Sequence, residues 1–222
     1  MSQTNLKPKR AYGTIRISPE GRKIPDSEML AFFEAHGALR ESIFRRYEMN
    51  EVIQYTGGVG IDVGCGLNKI HTAAIGIDKR LSPSDYGYPF GAQIRADGSK
   101  LPWFADESLD YVFSSHCLEH FHNPKPVLGE WSRVVKRSGY LVLILPHKNL
   151  YPNVGTPGAN VDHKHDYVPN DIAEMVVPLG FKIFQLDTLH VKLSQVPWSK
   201  DEASKYGHKD LNFSFEVVAR KL

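Results

Sequence analysis

From Val59 onward the chain alternates short apolar runs with stretches whose apolar residues recur at helical spacing. Runs at 59–64, 73–78, 109–115, 181–187 and 213–220 predict buried strands, with a weaker one at 91–97. The run at 139–146, GYLVLILP, is apolar throughout, as in a strand covered on both faces of a parallel sheet. Between these runs, 123–137 predicts a helix with Asn123 as N-cap and Pro124 in its first turn. Its apolar face is Val127, Leu128, Trp131, Val134 and Val135. A second helix is expected over 170–181, with Gly180 marking its end. Alternating strands and helices predict an α/β fold: a doubly wound, mainly parallel sheet. No long helix separates the last two strands, so they are expected to form an antiparallel edge hairpin.

Upstream the pattern is different. Leu30, Phe33, Leu39, Ile43, Phe44 and Tyr47 have helical spacing, with Gly37 as a break. Residues 1–25 are polar, contain Pro8, Pro19 and Pro25, and read as a tail or an ordered arm. The organisation expected is one domain over 1–222: N-terminal arm and helices over 1–50, a ligand-binding core over 57–222, and substrate loops at 147–168 and 190–212.

Composition narrows the class. Of 222 residues, 41% are hydrophobic and 23% charged, which fits a soluble globular domain. A net charge of +2 offers no phosphate-binding footprint, so a nucleic-acid partner is disfavoured. Two cysteines, Cys65 and Cys117, cannot make a disulfide framework, and no apolar run approaches a membrane span. With no apolar segment in MSQTNLKPKR to serve as a signal peptide, the expected location is cytoplasmic.

The stretch IDVGCG, 61–66, raises the chemical question, because an acid and two glycines stand where an apolar strand stops. Glycine lets the backbone turn sharply and approach a ligand closely. In a doubly wound sheet, ligands sit beyond the carboxyl ends of the strands. A dinucleotide fingerprint needs a third glycine where Lys69 stands, and the phosphate loop G-x-x-x-x-G-K-[ST] is absent. Asp62 is a poor neighbour for pyrophosphate and a good one for a cationic ligand. Asp78 ends the next strand, where a carboxylate can accept both hydrogens of a ribose diol. Asp97 closes the third, within reach of an exocyclic adenine amine. S-adenosylmethionine carries all three groups.

On IDVGCG, IGID, RADGSKLPWFADESLDYVFSSHCLEHFHNP, LGEWSRVVKRSGYLVLILP and PNDIAEMVVPLGF, the chain resembles the class I S-adenosylmethionine-dependent methyltransferases of small-molecule, type 11-like kind. The resemblance runs from about Gly57 to Gly180. It implies a seven-stranded sheet with a reversed edge hairpin and S-adenosyl-L-methionine as cofactor. It further implies that Asp62, Gly64, Cys65 and Gly66 line the methionine and ribose side, and that Asp78, followed by Lys79, takes the ribose hydroxyls. Asp97, Gly98 and Ser99 meet the adenine, with Trp103 flanking it, and Ser115 and His116 line the methyl-donor end. One departure stands out: only 16 positions separate Asp62 from Asp78, and Asn68 stands where many members have glycine. The crossover between these strands is therefore expected to be one short turn. That shortened form is similar to methyltransferases encoded with cell-surface sugar synthesis.

Methyl transfer from a sulfonium needs proximity and alignment, and an oxygen or nitrogen acceptor also benefits from a base. The candidates are His116, His147 and His165. His116 is either a base or a ring that fills the end of the sheet. Glu119 and His120 belong to the LEH turn and read as structural, and His122 as solvent-exposed. His163 and His165, with Asp162 and Asp166, have a spacing that can ligate a metal, but the plainer reading is a loop capping the helix near Asp171, and no metal is assigned. Trp131 is expected in the core and Cys65 as a packing residue. Tyr12, Tyr151 and Tyr167 look no different from ordinary surface tyrosines, and the KPKR cluster at 7–10 is expected to be solvated.

The reading is a methyltransferase acting on an oxygen or nitrogen of a small-molecule or sugar-containing (glycan-type) acceptor. The rivals are a binding protein of the same fold without catalysis, a nucleic-acid methyltransferase, a nicotinamide-dependent oxidoreductase and a metal-dependent hydrolase built on DHKHD.

Overall fold

The apolar runs pair into one seven-stranded sheet: β1 (Gly60–Val63), β2 (Ile75–Asp78), β3 (Ala92–Arg95), β4 (Leu109–Ser115), β5 (Val135–Pro146), β6 (Phe181–Thr188) and β7 (Ser214–Lys221). The strand order is β3-β2-β1-β4-β5-β7-β6. The computed structural model describes residues 48–49, 51–66, 69–79, 92–188 and 213–222. The predicted arm over 1–25, the helix over 27–47 and the loop at 190–212 lie outside these residues. Pairing is parallel from β3 through β5, and β7 runs antiparallel to both β5 and β6. The expected hairpin is therefore present, with its reversed strand inside the sheet and β6 at the edge.

The central strands are buried on both faces, which is why they read as continuous apolar runs. On β5, Leu141, Leu143 and Leu145 join one core with Val112 of β4, while Val142 and Ile144 join the other with Tyr111 and Phe113. The first core is roofed by helices α1 (Pro124–Val134) and α2 (Pro169–Val176), through Leu128, Trp131, Ile172 and Val176. The second is covered by Met49, Val52, Ile70 and Ala74.

Both helices end earlier than their apolar spacing predicts. After Val134 the chain becomes extended, because Val135 pairs with Leu109 and the Lys136 ammonium sits 2.9 Å from Asp110. Ser138 takes a left-handed φ of 64°, and a side chain at Gly139 would meet the Asp110 carbonyl at 2.8 Å. Here tertiary pairing outweighs helical propensity. After Val176 the chain tightens into a 3-10 turn over Val177–Leu179 around Pro178, and Gly180 closes it at a φ of 88°. The short β1–β2 crossover is as expected: among the described residues no helix lies between Val63 and Ile75.

Glu216 lies buried in β7, opposite Ile144 and Asp187. The Gln185 side-chain amide donates to its carboxylate, and Tyr55 in turn donates to Gln185. Burial, with the charges of Glu51 and Asp187 adding to it, pushes the Glu216 carboxyl up to about 7. A raised acid binds its proton more tightly folded than unfolded, so its contribution is greatest below the unfolded value and is lost as pH rises toward 7. Glu216→Gln should therefore flatten the fall in urea midpoint between about pH 4.5 and pH 7, with a gain in stability at the upper end. Urea titrations of both proteins across that window check it.

Candidate active site

Strand order reverses between β1 and β4, and the carboxyl ends of β1 to β4 meet at that switch point. Asp62, in the middle of β1, is fully buried, and its Oδ2 accepts the Ile70 amide at 2.6 Å. The carboxylate thus holds the short crossover against the strand. Gly64 turns the chain at a φ of 74°, its amide donating to the Ile77 carbonyl at 2.8 Å. A Cβ there would lie 2.5 Å from the Cys117 sulfur, so only glycine lets the turn pack on the end of β4. Cys65 is buried, as a packing residue should be. The Gly66 amide donates to Asp78 Oδ2 at 2.9 Å, so the turn and the end of β2 are tied by a side chain. Lys79 follows in an exposed position, and its carbonyl accepts from Arg95 Nε at 3.2 Å.

Asp97 is exposed just past β3. Its Oδ1 accepts the Ser99 amide at 2.9 Å and the Ser99 hydroxyl at 2.7 Å, and these bonds hold its carboxyl below the usual range. Gly98 takes a φ of 75° against Val63, and its carbonyl receives the Trp131 indole N–H at 2.9 Å. Trp131 is thus a core residue, as expected, that also fixes the Asp97–Ser99 turn. Downstream, the Leu101 amide donates to Glu130 Oε1 at 2.7 Å, and Arg133 donates to the Leu101 and Phe104 carbonyls and to Asp106. One side of α1 therefore clamps the loop that presents Trp103, 55% exposed.

Ser115 and His116 end β4, both buried. His116 adopts a φ of 49°, which a non-glycine residue holds only when its surroundings over-determine it. Those surroundings are the Ile144 carbonyl, accepting its amide at 2.9 Å, Ser214 Oγ at 3.0 Å from Nε2, and Glu48 Oε2 at 3.3 Å. Glu48 and Ser214 lie 68 and 98 residues away, so sequence reasoning missed both.

The other histidines separate. His147 pairs with Tyr167 across a single bridge, and its Nδ1 accepts the Asn149 amide at 3.1 Å. His165 is half-buried, stacked on Tyr167, with Nε2 3.2 Å from the His122 carbonyl. Asp166 accepts the Val154 amide. His163 turns the other way and is buried, stacked on Tyr151. The group Asp162, His163, His165 and Asp166 therefore does not converge. Tyr151 and Tyr167 are buried, not surface tyrosines, because they pack under this loop. Tyr12 lies outside the described residues.

Parallel strands in the order 3-2-1-4-5, a reversed strand between the fifth and the edge, a glycine turn after the first and acids at the ends of the first three define the class I methyltransferase fold. The comparisons with known proteins agree. Residues 61–143 match the family model described as a methyltransferase domain. The chain is 26% identical over 136 residues to an uncharacterized protein of Methanocaldococcus jannaschii, across 56% of this chain and 65% of that one. It is 38% identical over 87 residues to an uncharacterized methyltransferase of Mycobacterium marinum, across 39% of this chain and 30% of that one. The chain thus spans under two thirds of the length of either relative. Among solved structures it is similar to an S-adenosylmethionine dependent methyltransferase from Mesorhizobium loti, with a TM-score of 0.57 and 18% identity, across 80% of this chain and 98% of that one. The chain has the fold of the S-adenosylmethionine-dependent methyltransferases, and its residues 61–143 match the methyltransferase-domain model.

The Trp131–Gly98 bond gives a direct check on what holds the Asp97–Ser99 turn. Trp131→Phe keeps the ring in the core but strands a buried carbonyl, so it should cost about 1–3 kcal/mol in urea unfolding. Retained stability would show that the indole N–H does not hold the turn.

Proposed function

We propose that the chain is an S-adenosylmethionine-dependent methyltransferase that delivers the methyl group to an oxygen or nitrogen of a small-molecule or sugar-containing acceptor. The observation that carries this reading is the tie between the glycine turn and β2, Gly66 N–H to Asp78 Oδ2 at 2.9 Å. It shapes a backbone cradle and sets a carboxylate beside it, as a ligand joining a cationic amino-acid tail to a ribose requires. The donor set fits the group: Asp78 ends β2, and Asp97, just past β3 and held below the usual carboxylate range by Ser99, stands near an exposed indole at Trp103.

When bound, the cofactor supplies a methyl on a sulfonium, an activated carbon with a neutral leaving group. Asp78 would accept from the ribose hydroxyls. Asp97, held by the Ser99 amide and hydroxyl, would present a carboxylate to the adenine edge, and Trp103 would cover its face. Ser115 and His116 bound the end where the acceptor attacks. The group would thus supply a methyl that an acceptor lone pair could take, the carbon–sulfur pair going to sulfur. The acceptor proton passes to the His116 ring, which Glu48 and Ser214 orient. The acceptor enters beside the 147–168 loop, where this sequence matches no motif. His147 and His165 flank that approach.

The test is calorimetric titration with S-adenosylmethionine and S-adenosylhomocysteine. Micromolar binding is expected, weakened by about 1 kcal/mol or more in Asp78→Ala. No binding of either ligand at millimolar concentration overturns the reading. With an acceptor that supports turnover, His116→Ala should lower kcat about 10²–10⁴-fold while S-adenosylhomocysteine affinity stays within a few-fold. An unchanged kcat would leave His116 as a wall of the site only.

A further inference from the structure

Beside the methyl-donor end, the structure gathers a cluster that the LEH turn and the DHKHD loop form only together. Glu119, fully buried in the 3-10 turn Leu118–His120, places Oε1 3.8 Å from His120 Nε2 and 3.7 Å from His163 Nε2. One ligand atom from each of the three residues lies within 4.8 Å of the others. The two imidazoles stand nearly perpendicular, 83° apart, with centroids 4.8 Å apart. The geometry points to a divalent transition-metal site, of zinc type, formed by Glu119, His120 and His163.

The spacing fits an ion better than direct bonds. An N–H···O hydrogen bond spans about 2.7–3.2 Å. Ligands at about 2.0–2.2 Å around a tetrahedral ion stand about 3.4 Å apart, close to the two distances here. Two imidazoles and one carboxylate are borderline donors that suit zinc, whereas magnesium and calcium take oxygen ligands. Two histidines and a glutamate also form the ligand set of sites that keep a fourth position open.

The surroundings hold the ligands as such a site requires. Stacking on Tyr151 fixes the His163 ring, and the Lys164 amide donates to the Glu119 carbonyl at 2.8 Å, docking the loop on the turn. The Asp162 backbone also hydrogen-bonds His120, a further tie between the loop and the turn. His163 is buried, whereas the His120 side chain is 28% exposed, which leaves one side of the site approachable.

His116 Nδ1 lies 3.9 Å from the same Glu119 oxygen, so the site adjoins the proposed base. An acceptor hydroxyl in the open position would lose its proton more readily, which favours oxygen over nitrogen as the acceptor atom. This last step rests on the methyl-transfer reading; the metal site does not.

The experiment uses full-length protein stripped with a chelator and then dialysed. Zn²⁺ is titrated by calorimetry, and Co²⁺ is followed by its visible absorption. Submicromolar binding of one ion per chain and the intense spectrum of tetrahedral cobalt are expected. His120→Ala and His163→Ala should each weaken Zn²⁺ at least 100-fold, with the fold checked by circular dichroism and S-adenosylhomocysteine binding measured alongside. If His163→Ala does not fold, His120→Ala and the cobalt spectrum decide. No binding at millimolar Zn²⁺, a weak octahedral cobalt spectrum, or affinity unchanged in a folded variant overturns the site. Zn²⁺ binding without S-adenosylhomocysteine binding would sink the methyltransferase reading and leave the metal site standing; the reverse would do the opposite.

Discussion

A carboxylate with no exposure to solvent, hydrogen-bonded across a connection too short for a helix, governs this end of the molecule. Asp62 sits in the middle of β1 and accepts the Ile70 amide, so the crossover to β2 closes within a few residues. Gly64 can then turn against Cys117, and Gly66 reaches Asp78. Each contact depends on the one before it. Were the crossover longer or looser, the Gly66 amide would have no fixed path to the end of β2. A buried carboxyl group is costly unless such bonds compensate it, which makes the geometry stiff as well as specific.

The same economy recurs on the adenine side. α1 is at once a wall of the hydrophobic core and the mount for two loops. Trp131 reaches the Gly98 carbonyl, and Glu130 with Arg133 holds the backbone from Leu101 to Asp106. The exposed Arg133–Asp106 pair is worth little alone. Its value lies in the fan of backbone carbonyls that the guanidinium gathers around it.

How much of this the sequence discloses depends on range. The strands, their order of appearance and the glycine turn are legible because each is a local pattern of apolar period, glycine and acid within a few residues. The C-terminal part of the first predicted helix misleads because RVVKR suits a helix face as well as a strand, and only the Lys136–Asp110 and Val135–Leu109 pairings decide. The residues proposed for the cofactor are read from the same kind of local pattern. The partners of His116 are not, since Glu48 and Ser214 come from opposite ends of the chain. The LEH turn and the DHKHD loop each show part of a cluster, and spacing within DHKHD suggests that His163 and His165 share a face. In the structure one turns inward to Tyr151 and the other outward to Tyr167. The short-range regularity of an extended segment breaks where the chain docks on a turn more than forty residues away.

The reversed strand has a consequence for how the sheet tolerates change at one rim. Because β7 runs against β5, its first residues, Phe213 and Ser214, stand beside Pro146 and His147, where His116 meets them. β6 runs the other way, so Thr188 finishes at that same edge, opposite Phe215. The chain thus leaves the sheet and re-enters it on one rim. The residues between these two anchors can be lengthened, shortened or exchanged without altering any rung of the ladder. The paired strands thus form a frame whose register does not depend on the length of the connection at the rim.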